Sequence, residues 1–102
     1  MPEVPLAVEF DATTGVLAVS GDVDEESTET LRLAIEEHSA GCTTPLTVDL
    51  TAATYLPSVA IAVLVRAEQG FAASDARFEL VAASGSLAQR VLTVSAMPHR
   101  ST

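Results

Sequence analysis

Few side chains in this sequence are placed to do covalent chemistry. A serine–histidine–acid triad would have to draw on Ser58 and His99, but His99 lies in the tail of the chain, so no ordered base is available. His38 falls on the apolar face of a helical pattern and reads as a packed or boundary residue rather than a ligand. Cys42 is the only cysteine, which excludes an internal disulfide and a cysteine-based metal cluster. Its Gly-Cys-Thr-Thr-Pro setting holds no basic neighbour to lower the thiol pKa, so it reads as inert. The five glycines are isolated and form no phosphate-cradling loop. No acid, base and metal ligands converge. The expectation is a non-enzymatic protein with no cofactor and no metal site.

Composition narrows the partners. The 102 residues carry fourteen acids against five bases, all arginine, for a formal charge of −9. Such a surface repels phosphate backbones and anionic membranes, so neither nucleic acid nor a lipid headgroup is expected as a direct partner. Asp22, Asp24, Glu25, Glu26, Glu29, Glu36 and Glu37 concentrate half the acids in one stretch, opposed only by Arg32. Residues 55–65 form the longest apolar stretch, interrupted by Pro57 and Ser58 and far below the roughly 20 residues that span a bilayer. The N-terminus lacks the basic and apolar regions of a signal peptide, and the expected location is the cytoplasm.

Length sets one domain, and a hydrophobic content of 48% with only 4% aromatics sets an aliphatic core. Residues 6–10 alternate as a half-buried strand, residues 12–15 turn, and residues 16–20 read as a second strand of a hairpin. Leu31, Ala34, Ile35 and His38 follow helical spacing behind a run of acids that suits a helix N-terminus, and Ala40-Gly41 ends that helix. Residues 46–50 form a strand. Pro57 takes the first helical position of a second helix reaching about Phe71, apolar nearly all round in its first half. Residues 78–82 are a strand, and Ser84-Gly85-Ser86 caps a last helix carrying Leu87, Val91, Leu92 and Val94. The order is ββαβαβα, with parallel neighbours across each helix and an antiparallel hairpin in front. Beyond Met97 no strand is evident, which leaves a sheet edge open or available to a second copy, a homodimer.

Two stretches resemble the STAS family. Leu17-Ala-Val-Ser-Gly-Asp-Val-Asp24 is similar to its strand ending in Gly-x-hydrophobic-Asp. Val48-Asp-Leu-Thr-Ala-Ala-Thr-Tyr-Leu-Pro-Ser58, followed by an apolar helix, is similar to its Val-Asp-Leu strand, loop, hydrophobic pair and Asp-Ser pair. The resemblance implies an α/β fold, a STAS-like mixed β-sheet with helices largely on one side. It also implies an anti-sigma factor antagonist, a regulatory module whose partner is an anti-sigma factor that is itself a serine kinase. Ser58 matches the phosphoacceptor, and Asp24 the acid near it. Pro57, Val59, Ala60 and Val63 complete the expected partner surface.

Two positions depart from the family pattern: Pro57 stands where the aspartate would be, and Ala60 where a glycine is often found. The first removes a helix-cap acceptor, and the second puts a methyl where a partner is expected to approach. A phosphate on Ser58 would sit at a helix N-terminus, where free N–H groups stabilise anions. It would add about −1.5 to −2 charge, and so would act by spoiling an interface rather than by unfolding the domain. The rival expectation is a STAS subunit docked without phosphate in a larger complex, such as a lipid-transport ATPase.

Overall fold

Asp11 and Gly15 build the turn that starts the fold. In the computed structural model, which describes residues 5–101, the Asp11 carboxylate accepts the Thr13 N–H at 2.9 Å, and the Gly15 N–H donates to the Asp11 carbonyl at 2.8 Å. Gly15 has φ +71°, a conformation that costs any residue with a Cβ about 1–2 kcal/mol. The turn joins β1 (Ala7–Asp11) to β2 (Val16–Asp22) in an antiparallel hairpin. There follow α1 (Thr28–His38), β3 (Leu46–Tyr55), α2 (Ser58–Ala73), β4 (Phe78–Ala82), α3 (Leu87–Val94) and β5 (Arg100–Ser101). The sheet runs β1-β2-β3-β4-β5, parallel everywhere except the opening pair. This is the mixed sheet and the ββαβαβα order expected from the sequence, with a short strand added.

One aliphatic core holds the layers together. Leu17 and Val19 from β2, Val48 and Leu50 from β3 and Leu80 from β4 meet Leu31 and Ile35 of α1, Leu64 and Phe71 of α2, and Leu92 of α3 in a single cluster. The alternate positions, Ala18 on β2 and Asp49 on β3, turn to the face that no helix covers. Phe71 is 1% exposed and stacks on Phe78 with ring centroids 4.7 Å apart. At the end of α1 the Gly41 N–H bonds the Glu36 carbonyl at 2.9 Å. Buried Ser39 donates its hydroxyl to the Ile35 carbonyl and accepts the Cys42 N–H at 2.9 Å. His38 packs its ring on Phe10 at 4.3 Å, the boundary role its spacing suggested.

Three local readings change. β3 runs to Tyr55 where a loop was expected after Leu50, because its second half pairs with β2 (Ser20↔Ala52, Gly21↔Ala53, Asp22↔Tyr55) across two register shifts. Long-range pairing overrides the weak strand preference of Thr-Ala-Ala-Thr. Pro57 is the N-cap of α2, not its first residue: its ψ of 172° is extended, and Ser58 is the first helical residue. The chain beyond Met97 is not a loose tail. Ala96, at φ 55°, turns it back, Met97 is 7% exposed, and β5 pairs with β4 at Val81 and Ala82. Arg100 also bonds Glu79. The edge expected to stand open or to receive a second copy is therefore covered at those two positions by the chain's own strand.

Burial separates two helix substitutions. Phe71→Ala should cost about 3–5 kcal/mol by urea denaturation, the usual loss for emptying a large aromatic site. Val94→Ala should shift stability by no more than about 0.5 kcal/mol, since Val94 is 87% exposed although it continues the apolar pattern of α3.

Candidate functional site

Parallel strands finish at the same end of a sheet, so β2 and β3 deliver two connections side by side. Residues 23–27 lead from β2 into α1, and residues 56–57 lead from β3 into α2. The Val23 N–H bonds the Tyr55 carbonyl at 3.0 Å, and the Thr54 hydroxyl donates to the Asp22 carboxylate. Val23 and Leu56 are buried as plugs at this end of the core, while Tyr55 is 53% exposed.

Ser58 is exposed at the first position of α2. The N–H groups of Ala60 and Ile61 both donate to the Pro57 carbonyl, at 3.0 and 3.2 Å. Proline has no side-chain acceptor, and no acid occupies the first turn. Among the described residues neither the N–H of Ser58 nor that of Val59 has an acceptor, and the Ser58 hydroxyl has no partner. The helix start is thus electropositive and uncapped, with a free hydroxyl beside it.

Behind Ser58 the helix divides into two faces. Ala60, Leu64, Ala67 and Phe71 enter the core. Val59, Ala62, Val63 and Arg66 line a groove of about 450 Å³ against Ile35 and Glu36 of α1. Ala60 does not belong to the partner surface expected of it. It is 0% exposed, because its place on the helix shares the face of Leu64 and points its methyl at the sheet. Val59 remains 40% exposed, Val63 is half-buried in the groove, and Pro57 is half-buried. Val59 and Val65 stay exposed on the outer side of this apolar helix, while its inner face is buried.

Asp24 reaches this end of the sheet but is engaged elsewhere. Its carboxylate accepts the Ser27 N–H at 2.9 Å and the Ser27 hydroxyl at 2.8 Å, while its own N–H donates to that hydroxyl. The Ser27 backbone bond, then its hydroxyl, holds the Asp24 carboxyl below the ordinary carboxylate value. No hydrogen bond joins Asp24 to Ser58 among the described residues. On α1, Arg32 bonds Glu29 and Glu36, which hold it in its charged form. Among the described residues no three His, Cys, Asp or Glu side chains cluster to hold a metal ion, and no helix is long and apolar enough to cross a membrane. Sequence reasoning missed Tyr55, Ala62 and Arg66. The four-residue spacing of Ser58, Ala62 and Arg66 was the available signal.

A family model described as "Mlab, STAS domain" matches residues 6–98. The chain belongs to the STAS domain family. A crystal structure of an anti-sigma factor antagonist from Mycobacterium paratuberculosis is similar to this STAS domain at 25% identity and TM-score 0.69, covering 91% of this chain and 78% of that one. The anti-sigma factor antagonist SpoIIAA in its unphosphorylated form shares the fold at TM-score 0.71 and 15% identity, over 96% of this chain and 88% of that one. An antisigma-factor antagonist STAS domain from Rhodobacter sphaeroides gives TM-score 0.53 and 16% identity, over 76% and 85% of the two chains. No curated protein matches the chain.

The Asp24–Ser27 turn before α1 of this STAS domain carries a pH signature. A carboxyl held below its ordinary value stabilises the fold while it is ionised. That contribution is complete above about 3.8 and is lost as the pH falls through the lower folded-state value. Asp24→Asn should therefore melt below wild type at pH 7. The gap should narrow in thermal scans taken below pH 3.8.

Proposed function

We propose that this STAS domain is a cytoplasmic, anti-sigma factor antagonist-like binding module, switched by phosphorylation of Ser58 and bound by an anti-sigma factor that is also a serine kinase. The observation that carries it is the position of Ser58: exposed, first in an uncapped helix, and bordering the apolar groove of α2. The likeness to antagonist structures, one of them at 25% identity, supports the choice of partner. Val59 and Val63 extend this surface along the groove and Pro57 directly precedes Ser58; in this reading Asp24, which holds the start of α1 through Ser27, belongs to the partner surface as well.

The chemistry asked of this chain is small. The Ser58 oxygen attacks the terminal phosphorus of a kinase-bound ATP. A P–O bond to Ser58 forms, the bond to ADP breaks, and the serine proton passes to a base on the kinase. Asp24 is occupied by Ser27, so the base comes from the partner. The free N–H groups of Ser58 and Val59 would then stabilise the phosphate, a dipole effect of about 0.3–1 kcal/mol. Phosphorylation would leave the fold intact. It would set a hydrated dianion against Val59 and its apolar neighbours, where a partner would have to desolvate it.

A second reading is a STAS subunit docked through the same surface without phosphate. Pro57 favours it, since no side chain at the helix start accepts a bond from, or orients, the Ser58 hydroxyl.

Incubation with the cognate kinase and ATP should add one phosphate, and Ser58→Ala should take none. Phosphate found instead on Thr54 or Thr28, whose hydroxyls already donate to Asp22 and to the Glu25 carbonyl, would refute the assignment. Ser58→Asp should melt close to wild type and bind the partner at least about tenfold more weakly, a loss of about 1.4 kcal/mol. A Ser58→Asp protein that folds and binds as wild type does would select the constitutive reading.

A further inference from the structure

Fourteen acids surround five arginines in this chain, so an arginine without an acid is unusual. Arg32 is held by Glu29 and Glu36, and Arg77 and Arg100 share Glu79. Arg66 is exposed on α2 and has no acid within ion-pair distance among the described residues. Arg90, also without one, lies on α3 away from the groove. Only Arg66 combines a free guanidinium with an apolar cavity wall.

Ser58, Ala62 and Arg66 form one stripe along α2, about 12 Å from end to end at 1.5 Å per residue. Val59 and Val63 run beside it, and Ile35 faces them from α1. The groove between them has a volume of about 450 Å³. An open groove between two helices suits a row of side chains from a third. Of the charged residues that line the groove, Arg32 and Glu36 are paired with each other, which leaves Arg66 without a partner among the described residues. The unmet charge is the positive one on α2.

We propose that this groove seats an amphipathic helix of the partner protein, with aliphatic side chains packed on Val59, Ala62 and Val63 and a carboxylate paired with Arg66. The proposal rests on the reading that the Ser58 surface faces the partner, and it adds the chemistry of what lies there. On this arrangement Arg66 would not neutralise a phosphate placed on Ser58. A separation of about 12 Å exceeds the Debye length of roughly 8 Å at physiological salt, so the phosphate would repel the partner helix at one end while Arg66 holds it at the other.

The test uses two synthetic helical peptides with leucines at helical spacing, one bearing glutamates and the other lysines at the same flanking positions. Each is titrated into the ¹⁵N-labelled, unphosphorylated protein. The glutamate peptide should shift the amides of Ala62, Val63 and Arg66, and bind at least about tenfold more tightly than the lysine peptide. Arg66→Glu should reverse that order. If Arg66→Glu melts early, Arg66→Gln removes the charge alone and should abolish the preference. Equal binding of both peptides to the wild-type protein, shifts confined to other surfaces, or no binding of the glutamate peptide would overturn the proposal. No kinase or ATP is present, so failure here is distinct from failure of Ser58 to accept phosphate.

Discussion

The parallel pairing of β2 with β3 is the constraint on which the rest of this molecule depends. Backbone bonds between the strands, closed by the Val23 N–H on the Tyr55 carbonyl, bring two sequence-distant connections to one end of the sheet. An antiparallel pair would have sent them to opposite ends. Val23 and Leu56, buried just past the strands, anchor both connections in the core. The Asp24–Ser27 turn and the start of α2 are thus held by the same strands that form the centre of the sheet, and Ser58 stands on a rigid base.

The division of α2 into two faces follows from that base. Ala60 and Ala67 let the helix approach the sheet closely, and Leu64 and Phe71 fill the space between. The 3.6-residue repeat then forces Val59, Ala62, Val63 and Arg66 outward, toward α1. This outer face is apolar without being covered, an arrangement suited to binding rather than to stability. The exchange of glycine for alanine at position 60 is harmless to a partner for the same reason, since the added methyl is buried at 0% exposure.

Electrostatics divides the surface in a complementary way. The acids of the β2–α1 region are partly spent on local structure. Asp24 accepts from Ser27 and Asp22 from Thr54, and Glu29 and Glu36 hold Arg32. The start of α2 has the opposite character, because Pro57 supplies no acceptor and the first turn contains no acid. The start of α2 in this acidic protein therefore has neither a side-chain cap nor an acid in its first turn, and it carries a serine hydroxyl.

Local pattern was enough to place most of the elements, because their signals are short-range. The alternation of residues 6–10, the helical spacing of Leu31, Ala34 and Ile35, and the Ser86 cap, which accepts the Gln89 N–H, each depend on near neighbours. The paired STAS motifs at their separation were equally legible, and the family match agrees with them. What the tertiary structure alone decided depends on contacts between residues far apart in the chain. The second half of β3 exists because β2 pairs with it, and β5 because β4 offers Val81 and Ala82. An apolar helix looks the same in sequence whether its outer side is covered or bare. Only the placement of α1 and the sheet could bury Ala60, leave Val59 open and set Arg66 on the rim of a groove.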